Sequence, residues 1–150
     1  MIYVGIDVAK DKHDCCILGE DGSCRRKIFS FSNDSAGFAK LIAALEDCSG
    51  GSLETTTVKA GLEATGHYSE NLVAFLRKKG LEPVVCNPLA VKRQRLSHSL
   101  RNTKTDKTDA KCIAALLMSM HSNPAPQSYQ ISELKSLTRH RMQGKRIKNC

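Results

Sequence analysis

Nowhere in its 150 residues does this chain hold an apolar run of the roughly 20 residues that a membrane-spanning helix requires. Its opening, MIYVGIDVAK, lacks the basic stretch and small-residue cleavage site of a secretory signal. We therefore expect a cytoplasmic protein without a membrane partner. The seven cysteines (Cys15, Cys16, Cys24, Cys48, Cys86, Cys112 and Cys150) include no C-x-x-C pair, and their odd number suits neither a disulfide framework nor a zinc module. Cys15, Cys86 and Cys112 lie inside apolar stretches, where a thiol behaves as a small hydrophobe. Reduced, structural thiols are expected. His13 and Cys15 make a metal pair only in outline, because two further ligands are lacking. Internal repeats and low-complexity segments are absent. A P-loop is excluded as well: Gly61 and Gly66 have its spacing, but His67 and Tyr68 stand where lysine and serine or threonine are needed. An actin-like or sugar-kinase phosphate loop wants glycine soon after the first aspartate, whereas Val8, Ala9 and Lys10 follow Asp7.

Acidic residues are scarce in the C-terminal third. Between Lys92 and Lys111 seven basic residues face only Asp106 and Asp109, and from Ser132 to Cys150 six basic residues face only Glu133. The first ninety residues are nearly balanced, so the net charge of +8 is concentrated late in the chain. Such a basic region suits a polyanionic partner, although charge of this kind also serves solubility. The length allows one domain with a true core, not two.

The pattern along the chain reads as α/β. Residues 2–8 (IYVGIDV) are a nearly continuous apolar strand, expected to be central. HDCCIL (13–18) and RRKIFSF (25–31) follow as second and third strands around the Asp21-Gly22 turn. SNDS (32–35) supplies N-cap residues for a helix bearing Phe38, Leu41, Ile42 and Leu45. TVKAGLEA (57–64) is a fourth strand, with Val58, Ala60 and Leu62 on one face and Gly61 and Glu63 on the other. A helix with Tyr68, Leu72, Phe75 and Leu76 on one stripe ends at Gly80. LEPVVCN (81–87) is a fifth strand, Pro88 opens a third helix running to about Leu100, and a fourth begins near Asp106. Three meander strands followed by βα units predict a mixed sheet of about five strands, in the order 3-2-1-4-5, with flanking helices.

Four carboxylates stand out. Asp7 ends the first strand and Glu63 the fourth, and open α/β sheets form sites at the carboxyl ends of parallel strands. Ile113, Leu116, Leu117 and Met120 form the apolar stripe of the fourth helix, and stepping back along it meets Asp109 or Ala110 and then Asp106. A carboxylate facing a core is costly unless paired or metal-bound. A divalent cation removes that cost, Mg²⁺ prefers oxygen ligands, and two such ions about 4 Å apart serve displacement at phosphorus. Taken singly, each residue has a plainer role. Asp106 suits an N-cap, Asp109 the positive end of the helix dipole, Asp7 a turn and Glu63 a surface ion pair. It is their joint placement that favours a site.

The motifs YVGIDVAKDKH, GLEATGHY, NPLAVKRQR and KTDKTDAK, in this order, resemble the N-terminal domain of DEDD insertion-sequence transposases, the insertion-sequence one-hundred-and-ten family with its Piv and MooV invertase relatives. The family pattern at the second aspartate is Lys-Thr-Asp-Arg-Ile-Asp; here Lys107 and Thr108 replace Arg and Ile. The resemblance implies a RuvC-like, ribonuclease H-like fold whose catalytic, metal-binding tetrad is Asp7, Glu63, Asp106 and Asp109, with Mg²⁺ or Mn²⁺ as cofactor. It implies a transposase or recombinase of a mobile element, acting on double-stranded DNA with a guide RNA; Ile131, Leu134 and Leu137 near a heptad seam suggest a homo-oligomer in the full-length protein. Lys92, Arg93, Arg95, Arg101, Lys104 and Lys107 flank the tetrad and are the expected phosphate contacts. Residues 1–122 would be the RuvC-like domain, 123–128 a linker, and 129–150 the start of a basic connecting or coiled-coil helix, with the family's C-terminal serine domain absent from these residues. A stand-alone RuvC-type endonuclease and a non-catalytic nucleic-acid-binding module are the alternatives.

Overall fold

The computed structural model describes residues 1–63, 66–98 and 106–122, with the backbone alone at 98, 106–108 and 122. The linker and basic helix expected after residue 122 lie outside the described residues, as do Arg101 and Lys104. Strand β1 (Ile2–Asp7) pairs with β2 (Lys12–Leu18), and β2 with β3 (Phe29–Ser32), both antiparallel. After helix α1 (Ser35–Ser49), β4 (Val58–Glu63) returns parallel to β1 on its other side. A 3₁₀ turn (Gly66–Ser69) and α2 (Glu70–Lys78) lead to β5 (Val84–Cys86), parallel to β4. Helices α3 (Pro88–His98) and α4 (Asp106–Ser122) follow. The strand order is 3-2-1-4-5, as the meander and βα pattern led us to expect. Among the described residues no helix is long and apolar enough to cross a membrane.

Two cores flank the sheet. Alternate residues of β1 and β4 (Ile2, Val4, Ile6 and Val58, Ala60, Leu62) pack with Phe38, Leu41 and Leu45 of α1 and Leu72 and Leu76 of α2. The opposite pleat carries Tyr3, Cys16 and Leu18, packed with Val91 of α3 and Ala110, Ile113, Ala114 and Leu117 of α4. The carboxylates at the strand ends belong to this second face.

Helix α4 lies unusually close to the sheet. A Cβ on Gly5 would fall 2.1 Å from the Ala110 carbonyl oxygen and 2.4 Å from the Ala114 backbone nitrogen. A Cβ on Gly61 would fall 2.8 Å from the Leu117 methyls. Only glycine leaves room for a helix backbone at this distance. The same contact explains a departure from the expected stripe. Asp109, Ala110, Cys112, Ile113, Ala114 and Leu117 are buried, while Leu116 and Met120 are only half-buried. The small alanines, not the large side chains alone, face a sheet that comes this near.

Three further expectations are corrected. Tyr68 does not join the α2 stripe; it sits in the 3₁₀ turn and is 43% exposed, because α2 begins only at Glu70. Strand β3 starts at Phe29, since the exposed cations Arg25, Arg26 and Lys27 have no buried face to alternate with; Arg26 lies over the Phe29 ring instead. Strand β5 is three residues long and begins after Pro83, which has no N–H to give a ladder.

The connection from β1 to β2 is pinned from two sides. The Ala9 amide donates to His13 Nδ1 at 3.2 Å, and Asn33 donates through Nδ2 to the Lys10 carbonyl at 3.1 Å. His13 is fully buried, its ring edge-on to Phe31. Burial pushes its pKa below the ordinary 6.5, with Asn33 and Asp14 opposing the shift. Neutral His13 can accept from Ala9, whereas protonation would set two donors against each other.

Two stability predictions follow from these contacts. Gly5→Ala should cost roughly 3 kcal/mol, the upper part of the overpacking range, in urea denaturation; an unchanged midpoint would mean that α4 does not sit where described. The folded-state pKa of His13 lies below the unfolded one, so its stabilisation is complete above pH 6.5 and is lost as pH falls from 6.5 through the lower folded value. The urea midpoint should drop between pH 7.5 and 5.5, and His13→Gln should flatten that dependence; an equally steep dependence in the variant would rule His13 out as its source.

Candidate functional site

Asp7 and Glu63 are the last residues of neighbouring parallel strands, and the register pairs the residues just before them, Ile6 with Leu62. Both therefore reach the same edge of the sheet on the α4 side. The close seating of α4 on Gly5 brings the first turn of that helix over this edge. The result is a cleft of about 480 Å³ lined by Asp7, Lys12, Asp14, Glu63, Lys92, Arg95 and Asp109, with Val8, Ala9, Pro88 and Leu89 as its apolar wall. Helix α3 contributes Lys92 and Arg95. It starts where Asn87 Oδ1 accepts from the Leu89 amide at 2.8 Å, with Pro88 at a position that needs no donor.

Of the four carboxylates singled out by sequence, Asp7, Glu63 and Asp109 line this one cleft. Asp106 is the first residue of α4, one helical turn before Asp109, and its side chain is not among those described. Asp109 is 4% exposed. It forms an ion pair with Arg95 through Oδ1, yet the contact lacks hydrogen-bond geometry: neither Asp109 Oδ1 nor Arg95 Nε has a hydrogen-bond partner. Arg95, expected on the nucleic-acid surface, is thus turned inward as the counter-charge of a buried carboxylate. Lys92 lines the cleft and is exposed, as is Arg93, which is not part of the lining. The side chain of Lys107 is not described.

The thiols near the cleft are kept protonated. Burial and the neighbouring charge of Glu63 raise Cys86 to about 11, and burial raises Cys112 against the opposing charge of Arg95. The six described cysteines are all free, and burial pushes the thiol of Cys15, half of the His13 outline, well up. Thiolate chemistry has no place here, and the donors facing the cleft are oxygens. Among the described residues no three histidine, cysteine, aspartate or glutamate side chains stand close enough together to hold one ion. The carboxylate oxygens are the ligand type a hard divalent cation takes, and Asp109 Oδ1 already holds Arg95 as its counter-charge.

Sequence reading missed two lining residues, Lys12 and Asp14. The β1–β2 register would have found them, because it sets Asp14 directly opposite Asp7 and leaves Lys12 two residues away on the same face. His67 and Tyr68, which follow Glu63 closely in sequence, are exposed outside the cleft lining.

A family model described as transposase, of the DEDD IS110 type, matches residues 4–146. No curated protein matches the chain. Among solved structures it is similar to T. thermophilus RuvC in complex with a Holliday junction substrate, at 10% identity and a TM-score of 0.49, over 83% of this chain and 97% of that one. It is also similar to a ROK family glucokinase from Streptomyces griseus with glucose and AMPPNP (19% identity, TM-score 0.41, 63% of this chain and 36% of that one). A third likeness is to the ethanolamine utilization protein EutJ from Carboxydothermus hydrogenoformans (14%, 0.34, 63% and 40%).

Removing one partner from a buried ion pair typically costs about 3–5 kcal/mol, less where water reaches it. The Arg95 side chain is 25% exposed, so Arg95→Leu should cost about 2 kcal/mol in chemical denaturation. Most of that loss should return in the double variant with Asp109→Asn. Strictly additive single effects would show that the pair contributes nothing.

Proposed function

This chain belongs to the DEDD transposase family of the IS110 type, and we propose that its cleft is the phosphoryl-transfer centre of a DNA recombinase. The observation that carries this reading is the meeting of Asp7, Glu63 and Asp109 in one cleft beside exposed Lys92. In this reading Asp7, Glu63, Asp106 and Asp109 hold Mg²⁺ or Mn²⁺. Bound there, the metal would supply Lewis-acid stabilisation of the charge that builds on a scissile phosphate.

The chain's own residues have separate tasks. The carboxylates offer oxygen ligands fixed by two strand ends and one helix, which limits the motion of the donors. Lys92 and Arg93, with Arg101, Lys104 and Lys107, receive phosphate oxygens of double-stranded DNA and fix its register without reading sequence. Arg95 neutralises Asp109 until other positive charge enters the cleft, and is then available to the phosphate backbone. Guidance by an RNA, attack by a serine from a further domain and assembly of several copies accord with the family likeness and complete the proposed reaction.

The test is a Mn²⁺ titration by calorimetry in the presence of a short DNA duplex. The wild-type chain should bind Mn²⁺, and Asp7→Asn should lose at least tenfold in affinity while melting as the wild type does. Equal binding by both would remove Asp7 from the site. Binding without any strand cleavage or transfer would favour a nucleic-acid-binding module, and cleavage by this chain alone a RuvC-type endonuclease.

A further inference from the structure

The outer face of α3 carries a stripe that the carboxylates do not explain. Leu89, Lys92, Arg93 and Leu96 recur at helical spacing, and all four are exposed. Leu89 is 63% and Leu96 57% exposed, which makes them the two most exposed large apolar side chains among the described residues. A single exposed leucine is ordinary on a protein surface. Here two of them bracket a pair of cations on one face, while the other side of the helix sends Val91 into the core and Arg95 to Asp109. The helix contains no acidic residue.

The leucines call for apolar surface and the cations for anions, so a partner must offer both. A second copy of this chain, meeting the stripe with its own, would set Lys92 and Arg93 against like charges. A nucleic acid has phosphates along its backbone and apolar faces on its bases. Leu89 and Lys92 also line the carboxylate cleft, so a strand lying along the stripe runs into that cleft. Seven residues separate the two leucines, about 10 Å along the helix axis at 1.5 Å per residue. That is the length of about three nucleotides at 3.4 Å each. In a closed duplex the base faces are covered by their neighbours, and a side chain reaches them only where the stack is opened.

We propose that the outer face of α3 binds a locally unpaired DNA strand as it enters the cleft, with Lys92 and Arg93 on its phosphates and Leu89 and Leu96 against its bases. The inference rests on the DNA cleft proposed above and adds the form of the substrate, DNA whose bases are unstacked beside the reacting phosphate. Leucine is one of the apolar side chains that wedge between base steps. Leu89, as the leucine that lines the cleft, meets the base nearest the carboxylates.

The experiment compares the full chain with Leu89→Ala, Leu96→Ala and the double variant Lys92→Ala/Arg93→Ala on two probes, a blunt DNA duplex and a fork with one unpaired arm. Binding is read by fluorescence anisotropy at fixed salt, and a 2-aminopurine at the fork reports unstacking. The wild type should bind the fork at least about fivefold more tightly than the duplex and raise the 2-aminopurine signal. Each leucine variant should lose most of that preference and keep the duplex affinity and the melting temperature, because both side chains are exposed. The double cation variant should weaken binding to both probes alike and flatten the salt dependence. Equal binding of the two probes by the wild type, or a fork preference kept by both leucine variants, would overturn this inference and leave the DNA cleft standing. Binding of neither probe by the wild type would sink both. A dimer in sedimentation that the leucine variants convert to monomer, with fork binding unchanged, would assign the face to a second copy instead.

Discussion

The contact between the α4 backbone and Gly5 is the constraint on which the rest depends. It sets the height of the helix above the sheet, and the height decides which side chains of α4 are buried. Ala110 and Ala114 meet the strand, Leu117 seats on Gly61, and Asp109 is carried over the ends of β1 and β4. A larger residue at position 5 would lift the helix and open the cleft from below. The site is a by-product of close packing, and packing free energy holds charges where solvation alone would separate them.

That arrangement is electrostatically expensive, and the structure shows how the cost is met. Asp109 takes Arg95 as a counter-ion, Asp14 takes the Ser30 hydroxyl, and nearby thiols stay neutral. The Arg95 contact has the proximity of an ion pair without the alignment of a hydrogen bond. A guanidinium held this way neutralises charge and still has donors left to give. The same helix, α3, leaves Lys92 and Arg93 exposed beside it.

Much of this was legible in the residues. Strand ends at Asp7 and Glu63 follow from the apolar runs that precede them, and helical periodicity alone placed Asp109 toward the core. The alternation in β4 put Gly61 and Glu63 on one face, which is the face α4 covers. What stayed hidden depends on distances between elements. Asp14 needs the hairpin register, which hinges on the path of residues 8–11 around His13 and Asn33. The inward turn of Arg95 needs the spacing of α3 and α4. Tyr68 was assigned to a helix that starts two residues later, because a 3₁₀ turn and the first turn of a helix look alike in sequence.

The separation in sequence of the residues lining the cleft also has a consequence in time. Asp7 and Asp14 are close neighbours in the chain, Glu63 comes some fifty residues later and Asp109 nearly fifty after that. The hairpin of β1 and β2 can form early, as local contacts do, but the cleft exists only once α4 has closed a loop of about one hundred residues onto β1. During synthesis, a nascent chain that has emerged only as far as β5 carries paired strands and no charged pocket. Whatever chemistry the carboxylates support is thereby withheld until the last described helix has been made and docked.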